Sequence, residues 1–273
     1  MKKGKLINRD SKSIGSEKGS GKTSVSSRRG EQRSAENRGF SESKRGRLIV
    51  LDGADGAGKA TQTALLVARL KKEKKRVKAL QFPQYQDNLF GRLISECLAG
   101  DHGDFAKLSP YIASTLYAAD RFETKKKLEG WLKQGYTIIL DRYVSANQIH
   151  QGGKITDTKE RKKFLKWLDD MEFGVFGLPR PEVILYLDVP YEISYQLLND
   201  KALQKEKQKE YLKKGKRDMV ETDEKYLRDS RVSAVKMVQS SNQWERIPCT
   251  KKGMLLSREE VHELVWETVK KYI

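Results

Sequence analysis

Gly53-Ala54-Asp55-Gly56-Ala57-Gly58-Lys59 places two glycines, with four residues between them, directly before a lysine, and that spacing points to phosphate chemistry. Glycines let successive backbone N–H groups turn inward around an anion, and a helix starting there adds its partial positive charge. Lys59 supplies a full charge for the outer phosphates of a nucleotide. The context agrees, because an apolar run, Leu48 to Leu51, precedes the loop and Ala64, Leu65, Val67, Ala68 and Leu70 recur at helical spacing after it. Strand, glycine loop and helix in that order are what a phosphate-binding loop requires. Gly53 through Thr61 are therefore expected to contact a nucleotide. Gly15 to Thr23 contains a similar Gly-Ser-Gly-Lys-Thr, but its first glycine sits one residue too early and no apolar strand precedes it.

One position departs from the motif. The residue after the lysine is ordinarily Ser or Thr, whose hydroxyl reaches magnesium; here it is Ala60, with Thr61 one step later. Either the site is inactive, or magnesium is held by phosphates, waters and an acid elsewhere, as suits a cation reluctant to shed its water. The second reading is adopted, with Asp141 and Asp55 as the candidate acids. Asp141 and Arg142 follow the run Thr137–Leu140 and offer a carboxylate for magnesium and a planar cationic fork for a phosphate. The same pair could instead cap the strand. Phe82-Pro-Gln-Tyr85 ends another strand and can present a ring to a base, although a Phe there is often core. Tyr117 and Arg121, four residues apart on one helix face, could stack on and bond a pyrimidine, or form a surface cation–π pair.

These groups need a scaffold, and a β–α rhythm supplies it. Apolar β-branched runs at 48–51, 76–82, 137–140, 183–189 and 244–249 alternate with helical patterns at 111–132, 159–171, 224–238 and 258–272. Such alternation predicts an α/β fold, a five-stranded parallel sheet with helices on both faces, whose ligands gather at the carboxyl ends of the strands. Between the fourth strand and the helix at 224, residues 201–217 carry eight Lys and Arg against two Glu. That run suits a basic lid over about 200–222, or a solvated helix face.

The net charge is +18, and residues 1–47 hold fourteen Lys and Arg against five acids. Residues 1–46 are rich in Ser, Gly and Arg and poor in large apolar residues, so they are read as a disordered basic tail. They lack the apolar core of a secretory signal. Their charge would allow nucleic-acid binding, although none is expected. Two widely spaced cysteines without metal-ligand spacing suggest free thiols and a cytoplasmic setting, and no apolar run approaches the length of a membrane span.

Together these pieces resemble the thymidylate kinase family of P-loop nucleoside monophosphate kinases, which tolerate a small residue at the Ala60 position. The likeness rests on 51–62, Phe82-Pro83, Tyr117-Ala-Ala-Asp-Arg121, Asp141-Arg-Tyr143 through Gln151-Gly-Gly153, and Gly-Leu-Pro-Arg-Pro at 177–181. It implies ATP-dependent phosphorylation of dTMP, with magnesium, in a homodimer. It implies that Asp55 holds the acceptor's 3′-hydroxyl, Phe82 packs beside the acceptor, Tyr85 and Arg142 take its phosphate, Tyr117 stacks on thymine, Arg121 bonds O4, and Asn147 reaches the ring nitrogen. Gln151 completes the acceptor set. The catalytic cations are Lys59, Arg142 and, from the lid, Lys216 and Arg217. His150 stands where the family has Tyr or Phe, a ring that excludes a ribose 2′-hydroxyl, and the family's serine at the Ala146 position has moved to Ser145. A deoxynucleoside kinase, another pyrimidine monophosphate kinase and a nucleotide-dependent nucleic-acid binder are the alternatives. Lys59→Ala is expected to leave the fold intact and to cut turnover with ATP and dTMP far below a tenth of wild type, since losing one such electrostatic stabiliser costs ~3–4 kcal/mol. Steady-state assays that retain more than a tenth would remove the loop from the chemistry.

Overall fold

The computed structural model describes residues 45–199 and 224–273. Five parallel strands form one sheet: β1 (Arg47–Gly53), β2 (Val77–Gln81), β3 (Thr137–Asp141), β4 (Val183–Asp188) and β5 (Trp244–Pro248), in the order β2-β3-β1-β4-β5. β1, β3 and β4 are buried on both faces, which is why they read as continuous apolar runs rather than alternating ones. Alternate residues of one strand nevertheless feed two different cores. Leu48 and Val50 face a cluster with Leu128, Ile138, Leu140, Phe164, Ile184 and Ala234. Ile49 and Leu51 face another with Leu66, Ile139, Leu185, Val261 and Val265.

The first core takes its helical half from α3 (Pro110–Lys133), α4 (Thr158–Asp169) and α6 (Glu224–Ser240). The second takes it from α1 (Lys59–Lys72) and α7 (Arg258–Val269), so helices cover both faces as expected. α2 (Leu89–Leu98) and the start of α3 build a third, smaller core around Ile94, Leu98 and Phe105. α5 (Tyr191–Asn199) follows β4, and a two-stranded hairpin, β6 (Thr250–Lys251) with β7 (Met254–Leu255), joins β5 to α7.

The strand expectations hold to within two residues. α2, α5 and the hairpin had no counterpart in the sequence reading, because their short apolar patterns are masked by turn residues on either side. Gly46 is buried and its N–H donates to the carbonyl of Leu132 at 2.8 Å. Of the expected tail over residues 1–46, residues 1–44 lie outside the described residues, as does the expected lid over 200–222.

Two elements depart from ordinary helix. A short turn, Val144–Ala146, runs into a π-helical stretch, Asn147–Gln151, and α4 ends in a second one, Asp170–Val175. A widened helical turn shifts the side chains that follow it and is frequent at functional sites. Both stretches carry residues that matter below.

Close approach of α2 to the loop after β2 depends on Gly91. A Cβ there would lie 1.9 Å from the carbonyl oxygen of Gln84. Gly91→Ala is therefore expected to cost ~1–3 kcal/mol by overpacking, whereas Gly130→Ala on α3, with nothing within 4 Å of the added carbon, should gain ~0.5–1 kcal/mol from helix propensity. Melting temperatures of the two variants should move in opposite directions; a shared direction would mean that the seat of α2 is misplaced.

Candidate active site

β1 and β3 are hydrogen-bonded neighbours with Leu51 opposite Asp141. Their carboxyl ends therefore deliver Asp52 and Asp141 side by side, and the loop after β1 adds Asp55. Asp52 is fully buried; Ser145 donates to its Oδ2 at 2.6 Å and the Gly53 N–H donates to its Oδ1 at 2.8 Å. Burial pushes the carboxyl groups of Asp52 and Asp141 above the usual range, with Arg142 and Lys59 working against that rise. Ser145, one step from where the family's serine was expected, thus has its hydroxyl committed to Asp52.

Gly58 adopts the left-handed conformation (φ 87°) that carries the loop into α1, and it caps that helix without a side-chain hydrogen bond. No acid occupies the first turn. The helix N-terminus is thus left to an incoming anion. Lys59 folds back meanwhile: its Nζ donates to the carbonyls of Gly53 at 3.0 Å and Ala54 at 2.8 Å, with Asp55 at 3.6 Å. Burial, reinforced by Arg142, lowers its pKa. A phosphate would replace weak carbonyl partners with a full negative charge.

Arg142 holds the centre. Its backbone is left-handed, φ 68°, a conformation costing roughly 1–2 kcal/mol for a residue with a Cβ. Its Nη2 donates to Asp55 and its Nη1 to His150 Nε2 at 2.9 Å. Burial opposes the charge, but Asp55, Asp52 and Asp141 together outweigh it and raise the pKa. Asp55 is thereby an ion-pair partner of both cations. Among the described residues no group of three or more His, Cys, Asp or Glu is placed to hold a metal ion. The donor set suits magnesium bound through Asp141 and the nucleotide phosphates, with waters completing the shell.

A second cluster sits under the expected base pocket. Arg121 is 2% exposed and Glu172 is fully buried, so the surface cation–π reading is excluded. Arg121 gives its Nε and Nη2 to the two oxygens of Glu172, both at 2.6 Å, the bidentate fork that makes such pairs directional. Asn147 donates from Nδ2 to Glu172 Oε1 at 3.0 Å and to the Ser114 carbonyl at 3.2 Å. Both amide protons of Asn147 are spent, so Oδ1 is its acceptor, while Arg121 keeps its Nη1 edge. Gln151 is buried with its Oε1 unpartnered, as is Ser114 Oγ, and a ligand would satisfy such atoms.

The remaining expected residues divide. Tyr117 is half-buried, 5.9 Å ring to ring from Phe105, in the third core. Tyr85 is half-buried and contributes to the field at Arg142. Asp120 fixes the loop that carries Tyr85, accepting from the Gln84 N–H at 3.1 Å and from Asn88 at 2.8 Å. Phe82 is 4% exposed and packs 5.9 Å from Tyr143, a core residue of the first cluster. Lys216 and Arg217 lie outside the described residues. Asp52 and Glu172 went unassigned in the sequence reading. Asp52 ends a strand as Asp141 does and could have been flagged on that ground; Glu172, in what reads as an ordinary amphipathic helix, carried no signal.

A parallel sheet in the order 2-3-1-4-5 with a glycine loop after its central strand defines a P-loop phosphotransferase fold. The comparisons narrow it. The family model for thymidylate kinase matches residues 51–247. A thymidylate kinase of Mycobacterium tuberculosis is 34% identical over 148 residues, 54% of this chain and 68% of that protein. A probable thymidylate kinase of Thermococcus onnurineus is 34% identical over 165 residues, 58% and 74% of the two chains, and human thymidylate kinase is 32% identical over 146 residues, 54% and 62%. The solved thymidylate kinase from Candida albicans shares the fold at a TM-score of 0.61 and 22% identity, covering 83% of this chain and 92% of that one. The chain belongs to the thymidylate kinase family.

His150 is buried beside Arg142, and burial first, then that cation, pushes its pKa down to about 3, against Asp55, with Lys59 and Lys154 adding to the fall. The folded state therefore stays unprotonated where the unfolded state takes up a proton. Stability from this group is whole above about pH 6.5 and is lost as pH falls toward 3. Compared with His150→Phe, wild type is expected to lose ~2 kcal/mol between pH 7 and pH 5. Urea unfolding at the two pH values checks this, and parallel losses would mean that the imidazole is not shielded.

Proposed function

We propose that this chain phosphorylates dTMP to dTDP with ATP and magnesium, acting as a cytoplasmic homodimer. The observation that carries the acceptor choice is the Arg121–Glu172–Asn147 cluster. Glu172 and the Ser114 carbonyl consume the two amide protons of Asn147, and Glu172 takes one edge of Arg121, which leaves an acceptor from Asn147 and a donor from Arg121. That pair matches the N3–H and O4 of thymine or uracil. Cytosine presents an unprotonated N3 and a 4-amino group, which would set acceptor against acceptor and donor against donor.

Phosphoryl transfer asks the protein for alignment and charge neutralisation rather than covalent work. Lys59 turns from the loop carbonyls to the donor's outer phosphates, and the N–H groups from Gly53 to Thr61 cradle them. Arg142 takes the acceptor phosphate together with Tyr85, while Lys59 keeps the donor phosphates. Asp55 orients Arg142 and is placed to meet the acceptor's sugar hydroxyl. Tyr117 stacks on the base, and His150 and Gln151 close the sugar side. Asp141 would hold magnesium, which would supply charge neutralisation at the transferred group. Lys216 and Arg217 in the lid add cations there, and closure of the lid limits loss of ATP to water.

Both cysteines are unbridged and buried, in keeping with a reducing compartment, and no helix of the described residues is long and apolar enough to cross a membrane. Exposed Leu89, Ile112 and Phe122 on α2 and α3 leave apolar surface that a second copy would cover. kcat/KM for dTMP and dCMP in wild type and Arg121→Ala tests the acceptor assignment. The substitution should lower dTMP use and narrow the dTMP-to-dCMP ratio, because a site built to bond a polar group discriminates by leaving it unpaired; ATP affinity should hold. An unchanged ratio would place the thymine pocket elsewhere.

A further inference from the structure

Arg142 is a donor only, so the ring nitrogen it meets must be an acceptor. Its Nη1 lies 2.9 Å from His150 Nε2, and the other ring nitrogen, Nδ1, lies 3.2 Å from Ser230 Oγ. Nε2 is therefore unprotonated, and the ring proton sits on Nδ1, where it donates to the serine hydroxyl. His150 and Ser230 are 7% and 3% exposed, so water does not compete for either bond.

Ser230 belongs to α6, which begins at Glu224. This helix is seated on the Asn147–Gln151 stretch by more than one bond. Ser233 Oγ donates to the Gln148 carbonyl at 3.0 Å, and Arg231 pairs with the buried Asp188 at the end of β4 at 3.2 Å. Gly153 would bring a Cβ within 3.2 Å of the backbone at Asp229 and Ser230. The position of Ser230 relative to the ring is thus set by the seat of the whole helix.

We propose that His150 is a positioning residue for Arg142, held by Ser230 in the tautomer that accepts from the guanidinium, so that the seating of α6 sets the aim of the arginine at the acceptor phosphate. The left-handed backbone of Arg142 makes such support necessary: φ 68° is not a conformation the residue would hold unaided. Asp55 pulls the guanidinium from one side, and His150 steadies it from the other. Loss of the serine hydroxyl frees the ring to move its proton to Nε2, which would then point a donor at a donor. This role of His150 is separate from the shape its ring presents to the sugar, and it rests on the dTMP kinase reading only for the assays below.

Two measurements test it. The protein has three histidines, so the ¹⁵N NMR spectrum of histidine-labelled full-length protein at pH 7.5, with His150→Phe to assign the signal, reads the tautomer without any substrate. A proton on Nδ1 and a bare Nε2 are expected; a proton on Nε2 overturns the proposal. The second is a double-mutant cycle on kcat/KM for dTMP. Ser230→Ala is expected to cost about 10-fold, as for one charge-assisted hydrogen bond misaligned, with KM for ATP unmoved. In the His150→Phe background the same change should cost nothing further. A full 10-fold loss in both backgrounds would show that Ser230 acts on stability or packing alone and would contradict the proposal. If wild type shows the expected tautomer but no dTMP kinase activity, the functional assignment fails and the His150–Arg142 geometry stands.

Discussion

Asp52, Asp55 and Asp141 lie at the carboxyl end of two adjacent strands, where burial penalises every negative charge that is not matched. Among the described residues, Lys59 and Arg142 are the cations that lie against them. The site is organised around that compensation. It accounts for the committed Asp55, the raised carboxyls of Asp52 and Asp141, the folded-back Lys59 and the unfavourable backbone of Arg142. Breaking one buried partner leaves the others uncompensated, which costs far more than an exposed pair is worth. The same tension prepares the site for phosphate. Two cations already crowded together gain when a polyanion arrives, and the carbonyls that hold Lys59 in its absence are partners it can exchange.

The base pocket follows a related rule with different consequences. In the proposed base pocket, Glu172 uses up particular donors of Arg121 and Asn147 and so decides which donors and acceptors remain. A buried carboxylate beneath a pocket can therefore set hydrogen-bond polarity above it. Both clusters are delivered by irregular helix, Asn147–Gln151 and Asp170–Val175, where the extra residue per turn brings Asn147, His150 and Glu172 to bear on neighbours from other elements.

Much of this was legible in the residues. Continuous apolar runs revealed the strands because the sheet is covered on both faces, and the loop of Gly53 to Lys59 announced phosphate chemistry because few other functions need that spacing. Arg121 was legible as a position but not as an environment: its spacing from Tyr117 fits a surface pair as well as a buried one, and only Glu172, 51 residues on, distinguishes them. Asp55 reads from the sequence as a loop carboxylate for magnesium or a sugar hydroxyl, while its ion pair with Arg142 depends on a tertiary approach across 87 positions. His150 read as a change of ring; its partners, Arg142 and Ser230, come from β3's end and from α6. Local pattern gives the elements, and long-range pairing decides what their charged residues do.

The charges around Arg142 and Lys59 are proposed to pass the γ-phosphoryl group of a donor triphosphate to a pyrimidine monophosphate, leaving the diphosphate of the donor. The most direct test is a single-turnover experiment with ATP labelled in its γ-phosphate, limiting against excess enzyme, magnesium and dTMP. Label in the β-phosphate of dTDP is the expected result. Label released as inorganic phosphate, or retained in ATP while dTMP is present, would contradict the account.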